Sequence, residues 1–136
     1  MEHDFTWKEE YSVQVAEIDD QHKQLINLIF QLFTAINERK TREKLESILN
    51  DLIDFSDLHF STEEKYFEQF NYKDSEEHIE EHRNFTAKVL DLQKRYKNNE
   101  FEISLELIDF LEDWLLNHLI DLDGKYVKCF TSHGLK

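Results

Sequence analysis

Seven histidines occur in this chain, and five of them fall where helical spacing places the buried face. His22 precedes Leu25 and Ile29 by three and seven residues. His59 and Glu63 continue the line of Leu52 and Phe55 towards Phe67 and Phe70. His78 and His82 lie one turn apart ahead of Phe85 and Val89, and His118 extends the line of Leu111 and Leu115. Residues four apart on a helix project from the same side, so His59/Glu63 and His78/His82 can each direct two ligand atoms at one point. His118 and Asp123 are five apart, which a regular helix splays. They need either a helix end, for which Gly124 directly afterwards is a suitable signal, or a π-type widening. His3 and His133 sit in the terminal segments, outside this set.

Imidazoles and carboxylates on inward faces are metal-ligand chemistry. A single histidine on an apolar face is more often a hydrogen-bonded core residue, but that does not explain five of them with two acids. A lone buried carboxylate costs several kcal/mol unless it is paired or bound to a cation. No Lys or Arg shares the inward lines of Glu63 and Asp123. Five imidazoles and two carboxylates are too many for one ion and suit two. If both carboxylates and a water-derived oxygen bridge the ions, and the histidines divide three and two, one ion is saturated and the other keeps an open position. Such ligands suit iron, zinc, copper or nickel better than magnesium or calcium.

The elements that must position these residues read as four helices after a short arm. The arm runs to about Ile18, and its partly alternating Val13, Val15 and Ile18 leave a short strand open. Asp19 is a good N-cap for the first helix, whose stripe is Leu25, Ile26, Ile29, Leu32, Phe33 and Ile36. Thr41 opens a second helix through Leu45, Ile48, Leu49, Leu52 and Phe55. Asn71 to Ser75 breaks the pattern, with Asp74 or Ser75 as cap of a third helix bearing Phe85, Val89, Leu92 and Tyr96. Asn98-Asn99 is a turn signal before the stripe Phe101, Leu105, Ile108, Leu111 and Leu115. Short connections imply an all-α, antiparallel up-down-up-down four-helix bundle. We expect one domain over residues 1–136, with an arm 1–18, a bundle at about 19–123 and a C-terminal segment 124–136. In that topology the starts of odd helices and the ends of even helices share one end, so all four ligand sets converge.

Composition agrees. The chain has no proline and only two glycines in 136 residues, so almost nothing interrupts helices. Its 16 basic against 30 acidic residues give a net charge of −14, which argues against nucleic acid and anionic membrane as partners. No apolar run approaches the roughly 20 residues of a membrane span. The acidic start shows no signal peptide, and Cys129 is a lone thiol to which no role is assigned; a reducing, cytoplasmic location is expected. Acid-rich faces such as Glu76-Glu77 and Glu80-Glu81 read as solvated surface.

Four segments carry a family resemblance: Ile18-Asp-Asp-Gln-His22, His59-Phe-Ser-Thr-Glu63, His78-Ile-Glu-Glu-His82 and Trp114-Leu-Leu-Asn-His118-Leu-Ile-Asp-Leu-Asp123. The chain resembles the hemerythrins, in particular the single-domain bacterial ones, essentially end to end and including the arm with Trp7 and Tyr11. The resemblance implies a non-haem di-iron centre with an oxo or hydroxo bridge that binds dioxygen reversibly as hydroperoxide at an open iron. By that resemblance His78, His82 and His118 hold the saturated iron, His22 and His59 the open one, and Glu63 and Asp123 bridge. Leu25, Phe60, Trp114, Leu115 and Leu119 match the family's oxygen-pocket lining, although each is equally a core residue. The implied job is oxygen storage, transport or delivery, without enzymatic activity. An oxygen-consuming enzyme is a candidate partner, and a monomer is the working expectation. Oxygen or redox sensing, or nitric oxide or peroxide handling, is the alternative use of the same site. Many bacterial members carry a methionine and a Tyr-Pro pair between the second and third helices. Here Phe67 and Tyr72-Lys73 stand instead, which bears on that turn and leaves every ligand position intact. A ferritin-type site needs Glu three residues before His; the five candidates have Asp19, Ser56, Ser75, Ile79 and Leu115 there.

Overall fold

The computed structural model describes residues 6–97, 103–115, 117–118 and 122–136. Four long helices dominate: α1 Ala16–Asn37, α2 Arg42–Gln69, α3 Ser75–Lys97 and α4 Ile103–Leu115, followed by a short α5, Val127–Ser132. They pack in cyclic order, α1 on α2, α2 on α3, α3 on α4 and α4 back on α1, as an antiparallel four-helix bundle requires. Each buries the stripe that its spacing implies. Leu25, Ile29 and Leu32 meet Leu49, Leu52, Val89, Leu92, Ile108 and Leu111 in the main core. No described helix is long and apolar enough to cross a membrane. The expected turn at Asn98-Asn99, together with Phe101, Leu119, His3 and the side chain of Leu105, lies outside the described residues.

Among its described residues the arm forms no strand. Glu9–Tyr11 make a single 3-10 turn, and α1 begins at Ala16 rather than near Asp19. Asp19 caps in another sense. From the first turn its carboxylate accepts from Ser12 Oγ at 2.6 Å and from the Val13 backbone N–H at 2.8 Å. The arm is thereby latched to the helix start, and acidic charge sits where the helix dipole favours it. Thr41 is the N-cap of α2, its hydroxyl accepting from Lys44 N at 3.2 Å.

Three helix ends are closed by the same paired reverse bonds. After α1, Arg39 takes a positive φ of 52° and Lys40 N–H reaches back to Ala35 O at 3.0 Å. After α2, Asn71 at φ 53° lets Tyr72 N–H reach Phe67 O at 2.9 Å. After α5, Gly134 at φ 86° lets Leu135 N–H reach Phe130 O at 3.1 Å. The second closure folds Tyr72 onto Phe67, with ring centroids 5.1 Å apart. These two join Val13, Val15, Ile18, Tyr126 and Phe130 in a smaller second core. Arm, α2–α3 turn and α5 together floor one end of the bundle.

Candidate metal centre

The candidate ligands lie between the two cores. His82 stacks on Phe60 at 4.0 Å and His118 on Trp114 at 4.6 Å, both rings of the main core. His78 packs against Phe67 at 4.7 Å and Tyr126 at 5.6 Å in the second core. Phenol groups and Trp114 aside, the buried polar side chains among the described residues are His22, His59, Glu63, His78, His82, His118, Asp123 and Ser56. Ser56 is accounted for by donating to Leu52 O at 2.7 Å. The other seven are those singled out by spacing, and all are at most 3% exposed.

The described residues near either end of the five-residue step from His118 to Asp123 are π-helical. Asn117, His118 and Leu122 have that conformation, and Asp123–Tyr126 then tighten to a 3-10 turn leading into α5. Gly124 therefore ends nothing; its φ is not positive, and the chain continues helically past it. Asp123 lies on the inward face that a regular helix would deny it, its Oδ1 2.9 Å from His118 Nε2.

All seven side chains then point at one small volume. His22 Nε2 is 2.9 Å from Asp123 Oδ2, while His78 and His118 Nε2 are each 2.9 Å from Asp123 Oδ1. His59 and His82 Nε2 are 3.2 and 3.1 Å from Glu63 Oε1, and His22 and His59 Nε2 are 3.1 Å apart. Yet both oxygens of Glu63 and of Asp123, and Nε2 of His78, His82 and His118, make no hydrogen bond. Atoms this close that do not bond one another face a common third point. Metal bonds of about 2.1 Å put neighbouring ligand atoms of an octahedron about 3.0 Å apart, as found here. Two four-residue groups each gather ligand atoms within 4.8 Å: Glu63, His78, His82 and His118, and His22, His59, Glu63 and Asp123. Glu63 belongs to both. Asp123 turns one oxygen to His78 and His118 and the other to His22. The donor set fits two first-row metal ions sharing carboxylates.

Electrostatics keeps both acids ionised. Burial pushes Glu63 upward, but the imidazoles of His59, His118 and His82 outweigh it and hold the carboxyl well below its ordinary range. For Asp123, burial and Glu63 push upward while His118 and His22 pull it strongly down. Burial lowers His22, whereas Asp123 overrides burial at His118 and raises that imidazole to about 10.

Sequence reasoning missed the partners of the outer imidazole edges. His59 Nδ1 lies 2.8 Å from Gln21 Oε1 and His82 Nδ1 lies 2.9 Å from Glu64 Oε2. Both partners are chain neighbours of ligand candidates, but Glu64 is indistinguishable in sequence from the other acids of its solvated face. Tyr126 was also missed; its phenol is buried beside Glu63 and Asp123, and that burial raises it well above its ordinary value. Of the expected pocket residues, Leu25, Phe60, Trp114 and Leu115 are buried in the main core. His133 is exposed, bonded to Cys129 O at 2.7 Å and stacked on Phe70, away from the cluster.

Fold and site define a class: a four-helix bundle whose core gathers histidines and carboxylates able to hold metal. Residues 13–129 match the hemerythrin HHE cation binding domain, so the chain belongs to the hemerythrin family. It is 30% identical over 128 residues to a bacteriohemerythrin of Methylococcus capsulatus, covering 93% of this chain and 97% of that one. A hemerythrin-like protein of Naegleria gruberi is 32% identical over 122 residues, 90% of each chain. A crystal structure of wild-type hemerythrin superposes with a TM-score of 0.82 at 32% identity, covering 91% of this chain and 95% of that one.

Proposed function

We propose that this protein binds dioxygen reversibly at a di-iron centre, for oxygen storage, transport or delivery, without turning a substrate over. The carrying observation is the unequal division of histidines around shared carboxylates. His78, His82 and His118 form one group with Glu63, and His22 and His59 form another with Glu63 and Asp123. Counted with a water-derived oxygen as a third bridge, these ligands would saturate one metal position with six and leave the other one short with five, which is what reversible binding of a small ligand requires. We assign His78, His82 and His118 to the saturated position, His22 and His59 to the open one, and Glu63 and Asp123 as bridges. When bound, two ferrous ions supply the two electrons that dioxygen takes up. The protein fixes where that occurs and excludes water from it. We assign Leu25, Phe60, Trp114 and Leu115, all buried in the main core, as the wall on that side. Two buried, ionised carboxylates match the charge of the cations, and among the described residues no Lys or Arg is buried to compete.

Cytoplasmic location, a monomeric state and an oxygen-consuming enzyme as recipient complete the reading. The test is iron content with visible spectra recorded while cycling between anaerobic ferrous protein and air. We expect two irons per chain and a coloured species that bleaches on deoxygenation. Absence of iron after reconstitution would falsify the di-iron reading. Iron that oxidises without a reversible adduct would move the function to redox sensing, or to nitric oxide or peroxide handling.

A further inference from the structure

The two metal positions are backed by different chemistry. Nε2 of both His59 and His82 faces the carboxylate cluster, so in the ligand tautomer the proton resides on Nδ1 and is donated outward. His59 donates to the neutral amide oxygen of Gln21 at 2.8 Å. That amide is pinned in turn: its Nε2 donates to Thr62 Oγ1 at 3.1 Å, and the Thr62 hydroxyl donates to Leu58 O at 3.0 Å. His82 instead donates to the Glu64 carboxylate at 2.9 Å. Glu64 is 36% exposed and lines a groove of about 450 Å³ between α2 and α3, whose floor is Phe60 and His82.

We propose that Glu64 and Gln21 are positioning residues that set unequal redox poise at the two irons, resting on the di-iron reading above. An anionic partner draws the Nδ1 proton outward and makes the other ring nitrogen a stronger donor to metal. A stronger donor favours the ferric over the ferrous state. Glu64 therefore lowers the potential of the position held by His82, while the amide of Gln21 leaves the position held by His59 more readily reduced. Because Glu64 opens onto the groove, the lever is set from the protein surface and not from the closed core.

The experiment uses the iron-loaded full chain and reads its midpoint potentials by spectroelectrochemistry with one-electron mediator dyes. Glu64→Gln keeps an oxygen acceptor for Nδ1–H and removes only the charge; its potential shifts to more positive values with both irons retained. Gln21→Glu adds charge behind the other imidazole and shifts the potential to more negative values. Glu64→Ala removes the hydrogen bond altogether and weakens metal binding by about 10- to 100-fold. Glu64→Asp restores part of both properties. In zinc-loaded protein the His82 Nδ1–H resonance persists in Glu64→Gln and is lost in Glu64→Ala. Potentials unchanged in both Glu64→Gln and Gln21→Glu, with iron retained, overturn the proposal. A wild-type chain that takes up no iron overturns the di-iron reading and the poise with it, and iron content alone tells these two failures apart.

Discussion

His118 and Asp123 are five residues apart in the chain and 2.9 Å apart at Nε2 and Oδ1. In metal-free protein the pair is an imidazolium beside a carboxylate, and His118 is raised from 6.5 to about 10. A folded-state value above the unfolded one adds stability that is complete below pH 6.5 and is lost as pH rises through about 10. Thermal unfolding of the metal-free protein should show Tm falling across that window, and His118→Gln should flatten the fall. Metal demands neutral imidazole, so the loaded protein should lack this slope. His118→Ala should strip metal, whereas His133→Ala, at an exposed side chain bonded only near the end of α5, should retain the full complement by elemental analysis. Equal loss in both variants contradicts the ligand assignment.

At the scale of elements, the irregular pieces decide whether regular helices can build a site. π-helical backbone at His118 and Leu122 accompanies the inward placement of Asp123, and the reverse closure after α2 sets Tyr72 on Phe67 under His78. The arm is held by two hydrogen bonds to one carboxylate and by Val13 and Val15 in the second core. Asp19→Ala removes both bonds, one of them to a backbone amide, and should cost about 2 kcal/mol. Urea unfolding would register this as a lower midpoint at unchanged slope; a midpoint equal to that of wild type would mean that the apolar contacts alone hold the arm.

At the scale of the molecule, the metal is part of the folding problem. Seven buried polar groups with most of their inner atoms unbonded are a liability that a helical bundle tolerates only if something offsets it. Ions that bind the folded chain and not the unfolded one stabilise by mass action, by about 4 kcal/mol at a thousandfold excess over Kd. Chelation should therefore lower Tm sharply and remetallation restore it; a Tm indifferent to chelator would show that the bundle sustains the empty cluster unaided. Two units of the net charge of −14 belong to the buried carboxylates Glu63 and Asp123; the remainder serves solubility and attraction of cations, while selectivity comes from the core ligands.

The amino-acid sequence by itself determined the bundle and the seven converging residues, because a helix converts spacing into direction and short connections convert helix order into which ends meet. His22, His59 and Glu63, His78 and His82, and His118 were legible for that reason. Asp123 was legible only as a demand for irregular backbone, since a spacing of five fits no regular turn. What tertiary structure alone decided were features resting on contacts between elements. Asp19 latches an arm instead of capping a helix because Ser12 and Val13 fold back to it. Gly124 passes through a 3-10 turn because α5 must return Phe130 to the second core. Gln21 on α1 and Glu64 on α2 become partners of imidazoles on neighbouring helices through interhelical register, which local periodicity does not carry.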